Sequence, residues 1–180
     1  MLHRRALIGL ALAALAAPAT AQVSDPANTL IMELDFGRVV IAMRPDLAPR
    51  HVARIKELVA QKFYDNSPFH RVIRGFMAQT GDPTGTGMGG SGKNLPAEFS
   101  RERHLRGTVS MARAQSPNSA DSQFFICLDD TPHLDGQYTI WGKVVAGMDV
   151  VDRIKKGAAG SGQVDGPDRI RTLRLAADVK

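Results

Sequence analysis

Between Phe69 and Asp82 the chain reads FHRVIRGFMAQTGD and sets one cation, Arg71, among large apolar side chains. At strand spacing Phe69, Arg71 and Ile73 share one face, and His70, Val72 and Arg74 share the other. Phe76, Met77 and Gln79 follow within eight positions of Arg71. A charge beside apolar surface is costly unless it is paired or solvated. Arginine suits one kind of work in such a place: it keeps its charge at any working pH and holds out a rigid fork of N–H donors. A charge kept there must be paired or must serve a purpose. The plainer alternative is an edge-strand arginine whose stem packs while its head stays in water. The residues of this stretch leave both readings open.

Other chemistries are less well supplied. No Ser-His-Asp or Cys-His set stands out, and the five histidines are scattered without ligand spacing, so neither a metal nor any other cofactor is expected. The single cysteine, Cys127, cannot form an internal disulfide. It lies in the apolar run Phe124 to Leu128, which predicts a shielded thiol. The glycine-rich loop from Gly81 to Gly92 contains two letter matches to nucleotide-binding motifs. Gly85-Thr-Gly87-Met-Gly-Gly90 resembles the dinucleotide fingerprint, and Gly87 to Lys93 resembles the start of a P-loop. Both motifs need a helix opening right after the loop. Here Asn94-Leu95-Pro96 follows, which disfavours a helix and lacks the required Ser or Thr. A backbone-dominated loop lying over a groove is the better reading.

The elements that must position Arg71 are readable from periodicity. Residues 1–21 stand apart: a basic start through Arg4 and Arg5, an apolar run from Ala6 to Ala17 too short to span a bilayer, and small residues at Ala19 and Ala21. These features predict a signal peptide cleaved after Ala21, with Arg4-Arg5 compatible with either Sec or Tat export. A core helix or a retained anchor is the alternative. No later segment is apolar enough to span a membrane. The chain has 180 residues with 23 Lys+Arg and 18 Asp+Glu; without Arg4 and Arg5 the net charge is +3. The basic cluster Arg101, Arg103, His104 and Arg106 has no aromatic residues interleaved, which favours a solvated loop over a nucleic-acid site.

Residues 22–28 read as a linker and 29–180 as one domain. Within it, strands are predicted at 29–34 and 39–43 around a turn, then across 69–80, and at 107–113, 122–128, 138–145 and 170–175. Helices are predicted from Pro49 to Gln61 and from Met148 to Lys156, each with an apolar stripe. Short strands with two helices and no βαβ alternation predict a mainly β fold, a closed or nearly closed antiparallel barrel with flanking helices. Phe124 and Phe125 are adjacent in a strand, so one faces the interior and the other outward; Gln123 shares the face of Phe125.

Three further segments give these residues a family. Gly107 to Ala114 (GTVSMARA), Ser122 to Ile126 (SQFFI), and Leu134-Asp-Gly136 followed by Trp141 to Val144 (WGKV) join Phe69-His-Arg71 and Gly75 to Gln79. In order and spacing they resemble the cyclophilin family of peptidyl-prolyl cis–trans isomerases, from about Thr29 to Leu175. The resemblance implies a closed eight-stranded antiparallel β-barrel capped by two α-helices, with the groove on the outer face of the sheet. It implies that Arg71 is catalytic. It implies that Phe76, Met77, Phe125 and Leu134 wall a proline pocket, and that Gln79 and Gln123 stand near the substrate backbone. Ala112 and Arg113 match an extended-peptide shelf, and His70 a position next to the arginine. Tyr138 stands where many members have His. His133 stands where Trp often supports cyclosporin binding, which implies weak binding of that inhibitor. Arg113 and Arg74 replace common Asn and Pro and add charge near the groove. The implied partners are proline-containing polypeptides; the short single domain predicts a monomer, and the features of residues 1–21 predict export to the periplasm. A groove that only binds such peptides, as a module or holdase, would use the same residues.

Overall fold

Thr29–Leu34 (β1) and Gly37–Met43 (β2) form the expected hairpin, paired from Thr29 with Ala42 to Leu34 with Gly37. Leu30, Met32 and Leu34 alternate inward from β1, and Val39, Ile41 and Met43 from β2. The remaining strands are Arg71–Ile73 (β3), Met77–Thr80 (β4), Thr108–Met111 (β5), Phe124–Cys127 (β6), Ile140–Ala146 (β7) and Thr172–Leu175 (β8). They make one eight-stranded sheet in the order β3-β4-β6-β5-β7-β2-β1-β8, antiparallel throughout. The computed structural model describes residues 25–179, so the predicted signal peptide, 1–21, lies outside the described residues. At the end of the predicted linker, Pro26–Asn28 is a short 3₁₀ turn capped by the Asp25 carboxylate.

Two expectations need correction. The barrel is not closed: the sheet is an open half-barrel of eight strands. Its edge strands β3 and β8 do not pair. A single bridge, Pro68 with Arg169, and loop hydrogen bonds such as Asn66 N–H to Ile170 O (2.7 Å) cross the gap. Around that bridge Ile170 N–H bonds Ser67 O and Phe69 N–H bonds Asp168 O, while Pro68 has no N–H to add. The stretch 69–80 is also not one strand but a hairpin. Gly75, at φ +68°, lets the chain reverse between Ile73 and Met77. Phe69 precedes β3, and its amide bonds Asp168 O, so the strand alternation does not extend back to it. Phe69 is fully buried in the interior with Val72, on the side opposite Arg71.

Pro49–Ala60 (α1) and Met148–Arg153 (α2) flank the sheet. In α1, Val52, Ile55, Leu58 and Val59 are buried at the predicted spacing. The N-terminal amides of α1, at Arg50 and His51, donate to the Glu98 carboxylate from a distant loop. The second helix ends three residues earlier than the sequence suggests. Ile154 turns to extended backbone to reach the core, the Lys155 amide bonds the Asp168 carboxylate, and Lys156 Nζ donates to the Asp152 and Ile154 carbonyls. The core proper centres on Phe124, which meets Tyr64 and Trp141 edge-to-face at 5.6 and 5.4 Å between ring centroids.

Candidate active site

The strand registers assemble the site on the outer face of the sheet. Arg71 pairs with Gln79 across β3 and β4, Gln79 with Phe125 across β4 and β6, and Phe125 with Ser110 across β6 and β5. Because successive residues of a strand point to opposite sides, Phe124 and Ile126 enter the main core, while Phe125 and Cys127 join Met77 and Leu134 in a second apolar cluster outside it. Leu134 arrives on a 3₁₀ turn, Pro132–Leu134. The result is a notch of about 100 Å³. Its floor and walls are Met77, Phe125 and Leu134, its rim is Phe76, Ala112 and Tyr138, and Arg71, Gln79 and Arg113 supply the polar edge. Drug-sized ligands occupy pockets of roughly 300–1,000 Å³, so this notch suits one small ring. A wider trough of about 520 Å³ adjoins it, sharing Gln79, Ala112 and Arg113 and bounded by the glycine loop.

Arg71 is half-buried and held by two neutral oxygens. Its Nε donates to Ser161 O at 3.1 Å and its Nη1 to Gln79 Oε1 at 3.3 Å. None of the ion pairs among the described residues involves it. The remaining N–H donors are thus free to meet a ligand at the notch. Gln79 Nε2 donates in turn to Gln123 Oε1 (2.8 Å), and Gln123 Nε2 to the carbonyls of Gly87 (3.0 Å) and Gly89 (2.8 Å). A polar chain therefore runs from the guanidinium to the backbone of the glycine loop. Each amide orientation is fixed by what it donates to.

That loop is held by a residue the sequence reading passed over. Asp82 is fully buried and accepts hydrogen bonds from the amides of Thr84 (2.8 Å), Gly87 (2.7 Å) and Gly89 (3.1 Å) and from the Thr84 hydroxyl (2.7 Å). Burial alone would raise its pKa, but these donors win and hold the carboxyl at about 2. An unfolded aspartate titrates near 3.9, so the site contributes about 2–3 kcal/mol of stability at neutral pH. That contribution is complete above about pH 4 and is lost as the pH falls toward about 2. Asp82→Asn is expected to remove it. In urea titrations at a series of pH values, the variant should be destabilised at pH 7 and should lose less than the wild type between about pH 4 and 2. The glycines before and within the loop have steric reasons: at Gly81, φ +86°, a Cβ would lie 2.5 Å from Ser122 O.

The structure brings nine of the eleven expected site residues to the notch: Arg71, Phe76, Met77, Gln79, Ala112, Arg113, Phe125, Leu134 and Tyr138. Gln123 lines the adjoining trough instead. His70 is not at the notch. It is 7% exposed, packed beneath Gly87, with neither ring nitrogen hydrogen-bonded, and burial lowers its pKa despite the nearby Asp82. Its expected place beside the peptide is corrected to a place under the loop: His70 lies ahead of β3, its carbonyl accepts the Val164 amide and its ring packs under Gly87. Arg113 is tied down: it donates to the carbonyls of Ala114, Gln115 and Gln137 and lies 4.6 Å from the Tyr138 ring centroid. His133 packs against Phe76, rings 5.2 Å apart. Cys127 is fully buried, and burial pushes its thiol up to about 11 against the Thr131 hydroxyl. No helix follows the glycine run, and residues 81 to 107 contain none. One arrangement was invisible in sequence. His104 lies between Asp135 and Ser110, a Ser-His-Asp set whose Ser110 is fully buried and donates to Thr139 O, and so is no nucleophile.

A guanidinium held by neutral oxygens thus lies at the lip of an apolar notch, on the outside of an antiparallel half-barrel. The chain belongs to the cyclophilin-type peptidyl-prolyl cis–trans isomerases; the sequence model "Cyclophilin type peptidyl-prolyl cis-trans isomerase/CLD" matches residues 29–175. It is 53% identical to a "Probable peptidyl-prolyl cis-trans isomerase" of Brucella suis, with 98% of each chain covered. It is 41% identical to the human "Peptidyl-prolyl cis-trans isomerase-like 3" over 71% of this chain and 82% of that one. Among solved structures, cyclophilin AquaCyp293 from Hirschia baltica superposes with a TM-score of 0.77 at 28% identity, covering 87% of this chain and 76% of that one. A Cryptosporidium parvum cyclophilin, crystallised in the presence of the dipeptide Ala-Pro, gives 0.74 at 29%, covering 82% and 98%.

Proposed function

We propose that this isomerase works by transition-state stabilisation from Arg71 on X–Pro bonds of exported polypeptides, as a monomer in the periplasm. An amide C–N bond resists rotation by about 18–20 kcal/mol, and X–Pro bonds turn over unaided in tens to hundreds of seconds. In the twisted state the proline nitrogen pyramidalises and its lone pair localises. A donor aimed there favours that state over either planar form. The notch holds the pyrrolidine ring while the other side of the bond rotates, and its low dielectric strengthens the field of the guanidinium. Reaching milliseconds takes about five decades, or about 7 kcal/mol. A charge-assisted hydrogen bond contributes about 2–3 kcal/mol, more when preorganised, so cation and notch are both needed.

The observation that carries this reading is Arg71 at the notch with Phe76 and Phe125, its partners neutral and its outer donors unclaimed. The Ala-Pro dipeptide present with the Cryptosporidium relative supports a proline ligand here. A protease-coupled assay on an Ala-Pro peptide tests turnover; a wild-type rate equal to the uncatalysed one would defeat it. Export rests on the features of residues 1–21. Expression of the full chain in a bacterium with a periplasm should yield a product beginning at Gln22 in the osmotic-shock fraction, read by N-terminal sequencing. A chain retained in the cytoplasm with Met1 intact would contradict the proposal.

A further inference from the structure

We propose that His104 is a positioning residue for the proline notch, propping its aromatic walls and coupling them to a proton that the line Asp135–His104–Ser110 can gain. The inference rests on the notch being the proline site. His104 is 1% exposed, directly behind that site. Its ring lies nearly parallel to Phe125, with 19° between planes and 6.4 Å between centroids, and edge-on to Tyr138 at 6.5 Å. Its Nδ1 is 3.1 Å from Asp135 Oδ1 and its Nε2 is 3.1 Å from Ser110 Oγ, whose hydroxyl lies 2.9 Å from Thr139 O. Each member of this line adjoins a wall of the notch. Asp135 follows Leu134, Ser110 faces Phe125 across the ladder, and Thr139 follows Tyr138. A shift of the imidazole therefore moves the site on three sides.

Counting protons shows why the line can respond to pH. Its three contacts, carboxylate to imidazole, imidazole to hydroxyl and hydroxyl to carbonyl, each require one proton. A neutral imidazole and a hydroxyl bring two between them. With Nδ1–H given to Asp135, Nε2 and Thr139 O compete for the one Ser110 proton. An imidazolium donates at both ends, turns the Ser110 proton to Thr139 O and completes all three. Thr139 O already accepts the Met111 amide, so its second lone pair is the one at issue. The titratable and charged groups around His104 are few. Asp135 is bonded to it, with Arg103 3.9 Å from the other carboxylate oxygen; His133 shares the 3₁₀ turn. Cys127 reaches it only through Thr131, whose amide bonds His104 O, and Tyr138 meets its ring. Burial lowers the imidazole pKa against the pull of Asp135, so the extra proton arrives below the ordinary histidine range.

The test is exchange spectroscopy of an Ala-Pro peptide on the enzyme from pH 8 to 5, which avoids the pH dependence of a coupling protease. In parallel, ¹⁵N spectra of the histidine rings are titrated. The wild type should show a change of about 2–10-fold in kcat/KM, carried by KM. Its midpoint should coincide with the His104 titration. His104→Gln should abolish the step, and His133→Gln and His70→Gln should retain it. A flat wild-type profile would overturn the inference, as would a midpoint that follows another histidine or a step that survives in His104→Gln. The wild-type comparison decides even if His104→Gln does not fold. Absence of any wild-type turnover would instead defeat the proline-site reading, and the inference with it.

Discussion

Arg71→Ala is expected to lower kcat/KM on an X–Pro peptide by about 10²–10³-fold, the usual loss for one preorganised donor. The fold should stand. Arg71 is half-buried at an edge strand, and its hydrogen bonds go to neutral oxygens, so the variant leaves no carboxylate stranded. Thermal unfolding should therefore change little while the rate collapses, and that contrast separates chemistry from stability. Arg71→Lys should rescue only partly, because a lysine keeps the charge but not the fork that meets Ser161 O, Gln79 and the substrate together. The loss should lie mainly in kcat, since the lone pair exists as an acceptor only in the twisted state. Equal rates for wild type and Arg71→Ala would remove the guanidinium from the mechanism and leave the apolar notch to account for catalysis.

Phe124→Ala is expected to cost about 3–5 kcal/mol of stability, a large part of the roughly 5–15 kcal/mol that holds a domain together. Phe124 is fully buried, wedged edge-on between Tyr64 and Trp141 at the centre of the main core. Its strand partners Thr80 and Met111 and the indole of Trp141 are held by the sheet, so the cavity should persist. Urea denaturation with an unchanged m-value is the measurement. A loss under about 1 kcal/mol would mean that the core repacks around the gap. The adjacent substitution, Phe125→Ala, should show the reverse balance. Phe125 belongs to the small outer cluster that opens on the notch, so its removal should raise KM sharply and destabilise less than Phe124→Ala. The same deletion at neighbouring positions thus reads out core in one case and site in the other.

Much of this arrangement was legible from local rules. The alternation of Gln123 to Cys127 required only an extended backbone to send Phe124 and Ile126 inward and Phe125 outward, and the structure has them so. The stripe of Val52, Ile55, Leu58 and Val59 set the buried face of α1 in the same way. Local rules failed where the chain left regular geometry. Alternation carried past the start of β3 makes Phe69 a neighbour of Arg71, and a continuous apolar pattern conceals the hairpin at Gly75. The substrate-side place of His70 is implied by the family resemblance alone; strand alternation sets it on the face opposite Arg71, and the structure packs it under the glycine loop.

Residue type and order by themselves determined which side chains are inside, which strand faces are apolar, and that the chain carries the pattern of a proline isomerase. Periodicity and motif spacing are properties of the covalent chain, and burial follows them closely. Tertiary structure alone decided the open edge of the half-barrel, the anchoring of Arg71 by Ser161 O ninety residues away, the Asp82 clamp and the buried line through His104. Each of these joins groups distant in sequence through directional hydrogen bonds, and such a bond exists only once the backbone has placed its donor and acceptor within about 3 Å of each other.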